Sequence, residues 1–168
     1  MSSEAQDWAL AIESDLQSLG LEVDAQVVGR LTAYLGLLQK WNAAYNLTAI
    51  RDPQAMRVQH LADCLAVVPS LRRYVERTQA SGAAQQRPDA ALKVLDVGSG
   101  GGLPGVVLAV MQPQWQVHCI DAVAKKAAFI RQVAGELGLP NLHAHHGRVQ
   151  DLSLGFGFDL VISRAFAS

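Results

Sequence analysis

Glycines at 98, 100 and 102 follow directly on a short apolar run, 92–97, and lead into a second apolar stretch, 103–111. A strand that ends on glycines can turn sharply without a Cβ clash. It can bring its backbone close to a ligand and hand over to a helix whose first N–H groups face that ligand. The segment Asp96-Val97-Gly98-Ser99-Gly100-Gly101-Gly102 therefore reads as the loop of a nucleotide-binding α/β fold, with Pro104 tolerated in the first turn of the buried helix.

The pattern repeats downstream. Positions 116–121 read as a strand, 123–137 as a helix, 141–145 as a strand and 158–163 as another. Strands alternating with helices imply a mostly parallel sheet with right-handed crossovers and helices on both faces, a Rossmann-like arrangement.

The first ninety residues carry a different texture, that of a helical extension. Trp8, Ile12, Leu16 and Leu19 recur at spacings of three and four, and Gly20 can end that helix. Asp24 is a candidate N-cap for a second helix bearing the stripe Val27, Val28, Leu31, Leu35, Leu38 and Trp41, for which packing is a sufficient explanation. After a connection at 42–51, Asp52-Pro53 looks like a cap and first helical position, opening a helix through Met56, Leu61, Leu65 and Val68 that Pro69 should stop. The segment 78–91 lacks apolar periodicity and reads as an exposed linker, so the expected organisation is a helical extension over 1–77, a linker over 78–91 and an α/β core over 92–168.

A chain of 168 residues, half of them apolar, can bury one sizeable core. Its net charge of -1 conceals an asymmetry: residues 1–25 hold six acids and no Lys or Arg, which leaves 14 basic against 9 acidic groups, +5, over 26–168. RNA thus stays open as a partner. No apolar run approaches a membrane span and the first residues do not resemble a signal peptide, so a cytoplasmic location is expected. Cys64 and Cys119 stand far apart without metal-type neighbours and read as reduced packing residues. Alternation along a strand puts His143 and His145 on one face and His146 on the other, so no metal site is expected.

Which nucleotide the loop holds is the sharper question. Gly100-Gly101-Gly102-Leu103-Pro104-Gly105 satisfies the dinucleotide pattern G-x-G-x-x-G, with Asp121 about where a ribose-binding acid belongs. Asp96 points elsewhere, because a pyrophosphate gains nothing from a carboxylate at the strand end whereas a cationic ligand does. S-adenosylmethionine carries a sulfonium and an amino group, so Asp96 favours it over NAD, although Asp96 can also cap the loop's own N–H groups. Asp121 fits hydrogen bonding to ribose hydroxyls, or a plain cap of the next helix. After the third strand, Val149, Gln150 or Asp151 could read an adenine edge, or belong to an ordinary loop.

With these residues in place, the chain resembles the RsmG family, also called GidB. The resemblance covers roughly 38–168 and rests on Lys40-Trp41-Asn42, Tyr45-Asn46-Leu47-Thr48, Arg51-Asp52-Pro53, the run 95–105, and Ile162-Ser163-Arg164-Ala165-Phe166-Ala167-Ser168. It implies a class I S-adenosylmethionine-dependent methyltransferase acting on a guanine N7 of bacterial 16S ribosomal RNA, free or in a small-subunit particle. It also implies cofactor contacts at Gly98, Leu103, Val149, Gln150 and Arg164, beside Asp96, Gly100, Gly102 and Asp121 read from the loop itself.

Guanine N7 already has a free lone pair, so such a transfer needs no general base, and Arg164 becomes the positioning residue. Arg148, Lys125, Lys126 and Arg51 are weaker candidates for phosphate contacts. His60 and Asp63, one helical turn apart, read as a structural pair. Two departures from the family stand out. The linker is long, and the family's core continues past a fourth strand, so an incomplete sheet with an unpaired edge and impaired activity are expected of the 168-residue piece. Two other readings remain: a non-catalytic RNA-binding or ribosome-assembly protein of the same fold, and a NAD-type oxidoreductase.

Overall fold

A computed structural model describes residues 2–80 and 91–164. Its first three helices begin where short acceptor side chains precede apolar periodicity. Ser2 accepts from the Ala5 amide to start α1 (Ser3–Ser18), and Asp24 accepts from Gln26 and Val27 to start α2 (Ala25–Tyr45). Asp52 accepts from Ala55 ahead of Pro53, opening α3 (Pro53–Met56), which runs through a π-helical segment, Arg57–Ala62, into α4 (Asp63–Ala80). Gly20 follows α1 at φ 67° and Asn46 closes α2 at φ 50°, both left-handed terminators.

Two helix ends differ from the sequence reading. α2 continues through Tyr45, so the connection begins at Asn46 and not at residue 42. Asn42 is still helical, and its buried side chain reaches forward to hold that connection, donating to the Ile50 carbonyl and accepting from the Thr48 amide. Pro69 does not stop its helix. It lies inside α4, where Leu65, Val68 and Val75 are buried along one side. A proline inside a helix removes one backbone bond, and here tertiary packing of that side outweighs the loss. α4 also takes the first three positions of the segment read as a linker; residues 81–90 of that segment lie outside the described residues.

The second half forms one parallel sheet in the order β3-β2-β1-β4, built from β1 (Lys93–Val97), β2 (Gln116–Asp121), β3 (Leu142–His146) and β4 (Leu160–Ile162). α5 (Gly105–Met111) joins β1 to β2 and α6 (Ala124–Glu136) joins β2 to β3, a Rossmann-like parallel sheet flanked by helices. Chain order runs outward from β1 in one direction and then returns to place β4 on β1's other side, with Asp96 opposite Ile162. This reversal opens a crevice beyond the C-terminal ends of β1 and β4, where ligands of open α/β sheets bind.

One core joins the two halves. Ile12, Leu16, Leu31, Leu35, Leu38 and Leu65 belong to the same buried cluster as Val106, Leu108, Val117, Phe129 and Ile130. At the base of the sheet, the buried Asn141 amide donates to the carbonyls of Ala109, Gln112 and Trp115 and so closes the turn between α5 and β2. Cys64 and Cys119 are buried free thiols.

On the sheet face carrying Leu95, His118 stacks on His143 and His145 with ring centroids 4.5 and 5.2 Å away, and the rings of Phe156 and Phe158 pack edge-on against it. Among the described residues no group of His, Cys, Asp and Glu side chains is arranged to hold a metal ion, and no helix is long and apolar enough to cross a membrane.

Candidate functional site

The turn after β1 is held from two sides. Gly98 and Ser99 both donate to the Ile120 carbonyl of β2, at 2.9 and 3.3 Å, and Gly102 and Leu103 donate to the Ser99 carbonyl. Gly98, Gly100 and Gly102 take φ of 70°, 58° and 87°, which only glycine adopts without strain. At Gly102 a Cβ would also stand 2.6 Å from Val106 Cγ2, so glycine there serves helix packing as well.

Two carboxylates lie beneath this loop. Asp96 is fully buried in β1: its Oδ2 accepts from the Gly105 amide at 2.9 Å, and its Oδ1 has no hydrogen-bond partner. Burial raises its carboxyl to about 6, against the Gly105 amide, the Ser99 hydroxyl and the Arg164 charge, which favour the anion. The capping role that the sequence allowed beside a ligand contact therefore engages one oxygen of the side chain and leaves the other without a partner. Asp121, at the end of β2, accepts from Gly100 through Oδ2 and from Val123 through Oδ1, both at 2.9 Å. It fixes the loop and the turn into α6, while each oxygen keeps a second lone-pair direction.

Above the loop is a cleft of about 200 Å³, lined by Gly98 to Gly101, Leu103 and Lys126 on one side and by Leu38, Leu47, Thr48, His60 and Arg164 on the other. Of the residues singled out from sequence, Gly98, Gly100, Leu103 and Arg164 meet here, with Asp96 and Asp121 below them. Gly102 faces Val106 and Ile130. Val149 and Gln150 sit in an exposed 3-10 turn, Val149–Asp151, beyond β3 and outside this lining; the loop leading to that turn is joined to β2 by the Gly147 amide on the Asp121 carbonyl at 3.0 Å. Lys126 lines the cleft, whereas Lys125, Arg148 and Arg51 are exposed, Arg51 donating to Asn46 Oδ1.

Around the cleft stand residues whose role the sequence did not give away. Tyr34, fully buried on α2, donates its hydroxyl to the Gly101 carbonyl at 2.7 Å. His60 does not pair with Asp63. Its Nδ1 faces Arg164 Nη2 at 3.0 Å and its Nε2 faces Thr48 Oγ1 at 2.8 Å, while Arg164 Nη1 donates to the Gln59 carbonyl. The π-helical turn carries His60 inward there, and Asp63 is exposed. Tyr34 lies three residues from Leu31 and four from Leu38, so the helical stripe was the available signal; for His60 the sequence held none.

Comparison with known proteins adds the relationship. A family model described as rRNA small subunit methyltransferase G matches residues 28–168. A protein from Bordetella petrii named ribosomal RNA small subunit methyltransferase G is 58% identical over 151 residues, covering 90% of this chain and 54% of that protein. Proteins of the same name from Bordetella avium and Polaromonas naphthalenivorans are 50% and 46% identical across all of this chain, which covers 70% and 72% of their lengths. The chain therefore spans roughly half to three quarters of the length of these relatives.

Proposed function

Because this chain belongs to the rRNA small subunit methyltransferase G family, we propose that the whole protein methylates 16S ribosomal RNA at a guanine N7, with S-adenosylmethionine as donor, in the cytoplasm. The observation that carries the reading is the buried Asp96 carboxylate with one unpartnered oxygen beneath a left-handed glycine loop. Among the described residues it is the one carboxylate oxygen buried without a partner, and a cationic ligand is what it suits. A pyrophosphate placed there would meet a buried carboxylate of its own sign.

In this reading the chain's residues divide the donor between them. Asp96 faces its cationic methionine end, and Gly98, Gly100 and Gly102 let the backbone approach it. Leu103 supplies apolar contact. The remaining lone pairs of Asp121 serve the ribose hydroxyls, and the turn at Val149 and Gln150 serves the adenine. When bound, the donor supplies an electrophilic methyl on a sulfonium.

Arg164 stands at the cleft wall opposite the glycine loop, where a guanidinium can hold an acceptor on either donor or base. No side chain has to remove a proton from guanine N7, and the nearest imidazole, His60, has both its nitrogens engaged. What the protein contributes is placement in a partly enclosed cleft. Lys126, which lines the same cleft, suits a backbone phosphate, and a small-subunit particle or free 16S RNA is the proposed partner.

The test is a methylation assay on small-subunit RNA with the full-length protein and labelled donor, the product nucleoside identified by mass spectrometry. N7-methylguanosine at one position supports the reading. Donor turnover giving only another modified nucleoside, or none in free RNA and particle alike, contradicts it.

A further inference from the structure

The polarity of the hydrogen bonds around His60 follows from what its neighbours can do. A guanidinium only donates, so the His60 Nδ1 that faces Arg164 Nη2 at 3.0 Å must accept. Its proton is then on Nε2, which donates to Thr48 Oγ1 at 2.8 Å. Thr48 Oγ1 also receives the Ile50 amide at 3.2 Å, and the Thr48 amide is held by Asn42 Oδ1 at 2.8 Å. A chain of directed bonds therefore runs from the end of α2, through the connection after it and the π-helical turn, to the arginine two residues past β4.

Arg164 needs such a tether. It lines the cleft, yet in this structure its guanidinium bonds reach back across 104 and 105 residues of sequence, to the imidazole and the carbonyl of one helical turn. We propose that His60, neutral and protonated on Nε2, is the positioning residue for Arg164, holding its guanidinium against the cleft wall so that it meets a bound ligand already oriented. The inference rests on the methyl-donor reading only for the identity of that ligand.

The surroundings keep the imidazole in this form. Burial holds its protonation below the ordinary value of 6.5, and Arg164 adds to this; Asp63, exposed on the same helix, and the Gln59 backbone oppose it. Lys126 lines the same cleft and is a further positive charge. An imidazolium would turn an N–H toward a guanidinium that can only donate. The Thr48 hydroxyl proton and the guanidinium N–H groups of Arg164 that bond neither His60 nor Gln59 are the donors this network leaves over.

The experiment has two arms on this chain. In the first, which needs no ligand, nitrogen-15 NMR of the His60 ring at pH 7.5 is expected to show a protonated Nε2 and a bare Nδ1, with the Nδ1 resonance moving in Arg164→Ala. A proton on Nδ1, or a resonance indifferent to Arg164, overturns the proposal. In the second, S-adenosylmethionine is titrated calorimetrically into the native chain, His60→Phe, His60→Asn, Arg164→Ala and the double variant His60→Phe/Arg164→Ala.

His60→Phe and Arg164→Ala are each expected to weaken binding about tenfold, with the double variant no weaker than Arg164→Ala, as residues acting through one contact should behave. His60→Asn, whose Oδ1 can stand where Nδ1 stood, is expected to recover most of the affinity. Additive losses, or no rescue by asparagine, overturn the proposal, since a merely structural histidine would give them. Should His60→Phe fail to fold, the asparagine variant and the spectrum decide. If the native chain binds no donor while the spectrum is as expected, the tether stands and the same titration on the full-length protein decides the methyl-donor reading.

Discussion

The hydroxyl of Tyr34 donates to the carbonyl of Gly101 at 2.7 Å, linking the middle of α2 to the tip of the glycine loop across 67 residues. The phenol is wholly buried and burial keeps its proton on, so the bond persists throughout the useful pH range. The helical extension is thus a wall of the site as well as part of its core.

Tyr34→Phe removes that bond and leaves the ring in place. A loss of about 1 kcal/mol is expected, the ordinary worth of a buried neutral hydrogen bond, read as a lowered denaturation midpoint with an unchanged slope. Donor affinity should fall with it. An unaltered midpoint and affinity would mean that the loop holds its shape without α2.

Gly105→Ala tests how closely α5 seats on the sheet. An added Cβ would collide with Cys119 Sγ and lie 2.9 Å from Asp96 Oδ2, both in strands that cannot yield easily. Overpacking of this kind costs about 1–3 kcal/mol. Thermal denaturation should show that loss, with donor binding weakened too, because Gly105 is also the amide that holds Asp96.

Asp96→Asn separates stability from binding. With its carboxyl raised to about 6 from an ordinary 3.8, the native state binds a proton more tightly than the unfolded chain does. The stabilisation this gives is complete below 3.8 and is lost as pH rises through about 6, so at pH 7.5 the native protein carries the cost of a buried charge. The stability of Asp96→Asn relative to the native chain should therefore rise between pH 4.5 and 7.5. Its donor affinity at pH 7.5 should be about tenfold lower, the size of one charge-assisted contact. A pH-independent stability difference would remove Asp96 from this role.

His118 titrates in the opposite sense. Its protonation is lowered to about 4 by burial first and then by the neighbouring His143, His145 and Lys93. Below the ordinary 6.5 the unfolded chain gains a proton that the native state refuses, so this contribution to stability is present above 6.5 and is lost as pH falls toward 4. His118→Gln should lose less stability than the native chain between pH 7 and 4.5. Parallel pH curves would contradict the assignment.

Much of this was legible because it depends on local chemistry. Asp24 and Asp52 cap helices since short acceptors preceding apolar periodicity have little else to bond, and β2 occupies 116–121 as read because Asp121 ends its apolar run. Glycines that must turn left-handed announce themselves. What escaped depends on distant partners. The burial of Leu65, Val68 and Val75 carries α4 through Pro69, and Asn42 remains helical because its side chain finds Ile50 and Thr48. His60 looked like a neighbour of Asp63 on an ordinary helix, but the π-helical turn and an arginine 104 residues away give it other partners.

The most direct test of the central claim is calorimetric titration of S-adenosylmethionine into this chain, with NADH as the control. The account predicts saturable binding of the first alone, weakened by Asp96→Asn and weakening in the native protein as pH falls through about 6. Binding of NADH with none of S-adenosylmethionine by the folded chain would contradict it.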